Sequence, residues 1–237
     1  NNTGTLQPFE FTNLNSDGLG AHFENVCSKT PALSQCTDSS YDIAGANQGG
    51  NLVTWLRGNN DTRFRARQHK LADMVGGAPV YVGKPPFQYT EHNYQTFVAT
   101  TNASNSNTGR KGMVYVPSNG GMLHAFQASS GEELWAFVPS MVMDRMYRLA
   151  DNDYATKHEY YVNATPVIGD VWNGSAWRTI LVGGLGAGGR GYYALDVTNP
   201  DSPQALWEFS NDLLGGNSNL GLTFGNPDFV KYAEAYG

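Results

Sequence analysis

Cys27 and Cys36 are the two thiols of the chain and bracket a short polar stretch, CSKTPALSQC. Their spacing is far wider than that of a redox CxxC, and the further ligands a zinc site needs are missing nearby. A disulfide closing a short loop is expected, with two free thiols as the alternative; the disulfide suits an exported protein. Asn13-x-Asn15-x-Asp17-Gly18, with Glu24 after it, has the spacing of an EF-hand calcium loop, although Asn stands where the first ligand is ordinarily Asp. Pro8 and the FEF after it read as extended, so no helix is expected before Asn13. The alternative there is a polar loop in which Asp17 caps a short helix.

GLGAGG (184–189) satisfies the dinucleotide pattern GxGxxG after the apolar run TILVGG. A pyrophosphate site needs a helix next, whose N-terminus holds the anion. The next residues, RGYYALDV, read as a strand, so a glycine-rich hairpin or bulge is expected. No GxSxG or HExxH occurs. The five histidines show no ligand spacing, and His124, beside Ala125, reads as a packed or rim histidine rather than a base. Glu132-Glu133 and the DNDY at 151–154 read as solvated carboxylates. No catalytic constellation emerges, and the chain reads as a non-enzyme.

The elements that must carry these residues are mostly β. Of 237 residues, 28 are Gly, 12 % are aromatic and 15 % are charged, which suits many short strands joined by turns. The formal charge of −6, and the absence of an evident Lys/Arg cluster, argue against a nucleic-acid surface. No run of about 18 apolar residues is present to span a membrane. The sequence begins at Asn1 without a signal peptide, so a mature or excised segment is expected.

Residues 1–50 form an irregular segment holding the expected disulfide, and residues 51–237 a partial β-propeller. In the first, FTNLNSDGLGAHFENVC begins a short helix; NLVTWLRG forms another helix or a strand. From Ala78 onward, strands are expected at 78–83, 95–101, 112–118, 121–128 and 132–139, each bounded by turn residues. Asn119-Gly120-Gly121 makes a hairpin turn. SMVMDRMYRLA (140–150) reads as a helix with Ser140 as its N-cap. Strands resume at 160–172, 177–184, 191–197 and 205–209, and a last one, NPDFVKYA, is expected at 226–233.

Two stretches align as an internal repeat. Ala125, Gly131 and Trp135 in HAFQASSGEELW are matched by Ala194 and Trp207 in YALDVTNPDSPQALW. TPVIGDV (165–171) also echoes APVYVG (78–83). A repeat of four antiparallel strands implies propeller blades. In this reading the Ala lets strands crowd, Gly131 allows the turn, and the Trp docks on the neighbouring blade. About two blades and the first strand of a third are expected.

The repeat resembles the tryptophan-docking motif of quinoprotein-like propellers. The wider string is more specific: LRG (56–58), FRARQHKL (64–71), APVYVGKPP (78–86), SNGGMLHAFQASSGEELWAFVPS (118–140), WRTILVGGLGAGGRGYYALDVTNP (177–200) and LWEFS (206–210). Together these resemble the C-terminal β-propeller of the PilY1/PilC family of type IV pilus tip adhesins, over roughly residues 50–233. This chain has HAFQA where that family ordinarily has HAFDA, and lacks the Arg-Gly-Asp of some members, Arg57-Gly58 being followed by Asn59. The resemblance implies calcium elsewhere in the family, on a loop beyond the part matched here, and no cofactor in this chain.

It also implies an exported binding module at the pilus tip or outer-membrane surface. That module would act in pilus assembly or retraction control and in attachment to host cells or surfaces. Its partners would be pilins or minor pilins and a host-cell receptor. The contact surfaces are expected in the insertion 84–111, through Phe87, Tyr89 and Tyr94, and in the segment 140–162. Two other readings share the repeat: a fragment of a quinoprotein-like dehydrogenase, and a scaffold propeller of outer-membrane assembly.

Overall fold

The computed structural model describes residues 4–101, 109–210 and 219–230. The chain opens with a two-residue strand, β1 (Gly4–Thr5), followed by helix α1 (Phe11–Ser16), short 3-10 turns, helix α2 (Ile43–Ala46) and helix α3 (Gly49–Leu56). Helix α3 runs across the boundary expected between residues 50 and 51. The Cys27–Cys36 disulfide is formed. Leu14, Phe23, Val26, Leu33, Leu52 and Trp55 from this segment are buried in the same core as the sheets.

Two antiparallel sheets make up the rest, and they do not close into a ring. In the first, β2 (Val80–Val82), β3 (Met113–Ser118), β4 (Met122–Gln127) and β5 (Glu133–Phe137) pair in chain order. In the second, β6 (Val167–Trp172), β7 (Trp177–Gly184), β8 (Gly191–Asp196) and β9 (Gln204–Ser210) do the same, and β1 adds to β9 through Gly4 and Thr5 opposite Ala205 and Gln204. The short N-terminal strand thereby covers part of an edge that would otherwise offer unpaired backbone groups.

The repeat is visible in the strand register. Ala125 faces Trp135 across β4–β5, and Ala194 faces Trp207 across β8–β9. In both hairpins the register shifts at the residue after the Ala. Directly opposed residues share one face of the sheet, so a small Ala leaves room for the indole beside it. Gly131 takes φ +73°, and its N–H donates to Gln127 O at 2.8 Å to tighten the first turn.

Three sequence expectations are corrected. Residues 95–101 lie in a helix, α4 (Tyr94–Thr101), rather than a strand. Tyr94, Phe97, Val98 and Thr101 are its less exposed positions, a helical i, i+3, i+4, i+7 face that outweighs the β-branched composition. Second, Ser140–Ala150 is a 3-10 helix whose N-cap is Pro139. Ser140 is its first residue, and its N–H donates to Glu208 Oε1 at 2.9 Å while its hydroxyl donates to Oε2. The capping acceptor thus comes from β9 instead of from the helix's own side chain. Third, residues 226–230 carry no strand, and the remainder of NPDFVKYA lies outside the described residues.

The segment 160–172 is strand only from Val167. GLGAGG forms the connection from β7 into strand β8. Within it Gly188 lies so close to the backbone of Tyr161 that a Cβ would collide with its carbonyl oxygen. A side chain there would force the loop off Tyr161.

The disulfide closes a loop of nine residues' separation in an otherwise irregular segment. Replacing both cysteines by Ser should therefore lower unfolding free energy by about 2–3 kcal/mol, from the loop-entropy relation. Urea denaturation of the two proteins checks this, and equal midpoints would refute it.

Candidate functional site

Three groups of residues are brought together by the fold: a seam between the sheets, an aromatic clasp and a basic cleft. At the seam, Trp135 Nε1–H donates to the carbonyl oxygen of Pro200 at 2.7 Å, reaching from β5 to the loop between β8 and β9. Phe137 packs against Tyr193 with ring centroids 5.4 Å apart, and the Ser140–Glu208 hydrogen bonds lie along the same side. The equivalent Trp207 meets no further sheet among the described residues. It is 43 % exposed, beside Val182, Tyr192, Phe209 and Pro227 in an apolar hollow.

The insertion carrying Phe87, Tyr89 and Tyr94 turns inward. Tyr89 lies between Phe87 and Trp177, stacked on both at 5.1 and 5.3 Å, and His92 stacks on Trp172 at 4.6 Å. Tyr94 is fully buried, and its hydroxyl donates to Asp170 Oδ2 at 2.6 Å. Thr179 Oγ1 donates to Asp170 Oδ1 at 2.7 Å and accepts from Arg110 Nη1 at 2.5 Å, while Arg110 Nε donates to Gly83 O at 2.8 Å. Burial, with the Asp170 carboxylate beside it, pushes the Tyr94 hydroxyl well above the usual tyrosine range. Tyr94 therefore has no surface to offer a partner; of the three, Phe87 is the most exposed. Most of the segment 140–150 is likewise core, with Val142, Met146 and Ala150 fully buried.

The proposed calcium ligands are placed differently from an EF-hand. Asn13 and Asn15 lie inside α1 and Asp17 is its C-cap, so the segment is a helix rather than a ligand loop. Asn13 Nδ2 donates to Pro8 O at 3.1 Å. Among the described residues no three His, Cys, Asp or Glu side chains gather to hold a metal. These residues do not fit the ion. Asp17 thus does cap a short helix, as in the alternative reading, at its C-terminal end.

DNDY is more enclosed than its composition implies. Asp151 is 5 % exposed, accepts from Ser34 Oγ and the Asp153 N–H, and pairs with Lys157 at 3.0 Å. Burial alone would raise its carboxyl, but these donors bring it below the usual carboxylate range. Glu133 is likewise engaged, lying 2.5 Å from Nδ1 of the buried His124.

The third group was missed in the sequence. A cleft of about 370 Å³ is lined by Arg65, Arg67, His69 and Lys70, with Trp55, His124 and Asp73. The signal was present in FRARQHKL, but with Arg63 before it this cluster is short enough to vanish in an overall charge of −6.

A family model described as the PilY1 beta-propeller domain matches residues 71–235. The chain is 38 % identical to the type IV pilus biogenesis factor PilY1 of Pseudomonas aeruginosa strain UCBPP-PA14, over 97 % of this chain and 19 % of that protein. It is also 38 % identical to a PilY1 homolog of Xylella fastidiosa, over 98 % of this chain and 19 % of that protein. The crystal structure of the P. aeruginosa PilY1 C-terminal domain is similar at 35 % identity with a TM-score of 0.48, covering 62 % of this chain and 28 % of that one. The chain belongs to the PilY1 β-propeller family, and spans about a fifth of the length of these curated relatives.

Two contrasts test the geometry. Trp135→Phe should destabilise by about 1–2 kcal/mol, because Pro200 loses its donor, while Trp207→Phe should cost within about 0.5 kcal/mol. Equal effects in chemical denaturation would contradict the seam. Tyr94→Phe leaves the buried Asp170 short of a donor and should cost about 1–3 kcal/mol; an unchanged denaturation midpoint would show that the hydrogen bond contributes nothing.

Proposed function

We propose that this PilY1-family chain is a recognition module of type IV pilus biogenesis. It would contact pilins or minor pilins during assembly or retraction control, and surfaces or host cells at the pilus tip. The observation that carries this reading is identity along nearly the whole chain to proteins named type IV pilus biogenesis factors. The disulfide is consistent with export through the periplasm to an extracellular or outer-membrane position. No helix among the described residues is long and apolar enough to cross a membrane.

The fold supports a binding role through rigidity. The seam and the aromatic clasp hold both sheets at several points, leaving exposed connections as preorganised contact surfaces. Tyr81, 66 % exposed on β2, and Phe87, 36 % exposed in the insertion that follows, are the aromatic anchors this reading assigns to a partner.

The purified chain should bind purified minor pilins saturably, and Tyr81→Ala with Phe87→Ala should weaken that binding about tenfold, the loss of a small hot spot. In cells lacking their own relative, full-length protein with residues 71–235 deleted should fail to restore surface pili. Normal piliation by the deleted form, with no pilin binding in vitro, would overturn the proposal.

A further inference from the structure

The basic cleft has an electrostatic peculiarity. The guanidinium carbons of Arg65 and Arg67 lie 5.9 and 3.8 Å from the ring centroid of the same indole, that of Trp55, which is 2 % exposed. Arg65 also lies 4.8 Å over Tyr154. Both guanidiniums are lowered in pKa by burial, and Arg67 further by the charge on Arg65. Two cations that repel each other in a partly dry site ordinarily have a carboxylate between them. Here they have none: among the described residues neither Arg65, Arg67 nor Lys70 forms an ion pair.

The acids near the cleft are committed elsewhere. Asp73 lies 3.0 Å from Nε2 of His158 and accepts from Asn119 Nδ2 at 2.6 Å. Glu133 is held by His124 at 2.5 Å. The arginines themselves are positioned by backbone oxygens. Arg65 Nε donates to Leu149 O at 3.0 Å, and Arg67 Nη2 donates to Trp55 O at 2.6 Å and Asn59 O at 3.1 Å. Among the described residues, Arg65 Nη1 and Nη2 and Arg67 Nε and Nη1 have no acceptor. Donors are thus held in place and left open, which is preorganisation for an anion.

The walls narrow the choice of anion. Leu56, Leu71, Met122 and Leu149 line the cleft beside the cations. A volume of about 370 Å³ is that of a small-ligand site rather than a broad charged face. Planar guanidinium forks match the two oxygens of a carboxylate, and the apolar wall suits a hydrocarbon body attached to it. We propose that this cleft binds the C-terminal carboxylate of a polypeptide whose last residues are apolar. Arg65 and Arg67 grip the carboxylate, Lys70 adds charge, and Leu71 and Met122 cover the final side chain. The inference goes beyond the pilus reading and does not depend on it.

The test is calorimetric titration of the purified chain with acetyl-Ala-Ala-Leu bearing a free carboxylate, the same peptide as its C-terminal amide, and inorganic phosphate. The acid should bind saturably and the amide about tenfold more weakly or worse, because charge-assisted hydrogen bonds are lost. Raising NaCl from about 0.05 to 0.5 M should weaken the acid several-fold by screening. Arg65→Gln with Arg67→Gln should abolish binding. Because those side chains also hold backbone carbonyls, Lys70→Gln is the second variant; it makes no hydrogen bond or ion pair among the described residues and should lower affinity about two- to fivefold by Coulomb loss at a partly exposed site. Equal binding of acid and amide, tighter binding of phosphate, unaltered affinity in Lys70→Gln or no saturable binding would each overturn the proposal.

Discussion

The indole N–H of Trp135 needs an acceptor, and the nearest it finds belongs to another sheet. A half-buried donor left unpaired would be costly, so its bond to Pro200 O sets how β5 lies against the β8–β9 loop. Phe137 against Tyr193 and Ser140 against Glu208 then continue the same seam. The start of the 3-10 helix at Ser140 is one consequence, since its cap is a carboxylate from β9. Two blades become one body because of this line of contacts.

A second tie runs from the opposite direction. The insertion between β2 and β3 crosses to the second sheet and stacks Tyr89 on Trp177 and His92 on Trp172. Its polar centre is Asp170, a 7 % exposed carboxylate satisfied by Tyr94 and Thr179, with Arg110 behind Thr179. A buried network of this kind is stabilising only when complete, and it also specifies geometry. The aromatic residues most tempting as partner anchors are therefore mostly spent on holding the fold.

The N-terminal segment is a third participant, not an appendage. Gln35 donates to Ala150 O and accepts from the Asn152 N–H, Tyr147 donates to Pro31 O, and Ser34 donates to Asp151. These bonds lock the disulfide-bearing segment onto the 3-10 helix. The same packing brings α3 alongside the stretch 65–70, and so assembles the basic cleft between elements that no local rule connects.

Features legible in the sequence are those decided within one hairpin. Alternating apolar residues, turn glycines and the Ala-to-Trp spacing specify β4–β5 and β8–β9, because strand period and cross-strand pairing act over neighbouring residues. The disulfide is similarly local. Residues 95–101 read as a strand because their β-branched composition is a local signal, whereas the helix starts at Tyr94, which meets Asp170 and Trp177 of a distant sheet. The acceptor of Trp135, the cap of Ser140, the burial of Asp151 and the gathering of Arg65 and Arg67 under one indole were likewise invisible. Each depends on a partner far along the chain, brought within hydrogen-bonding or close electrostatic reach by tertiary packing alone.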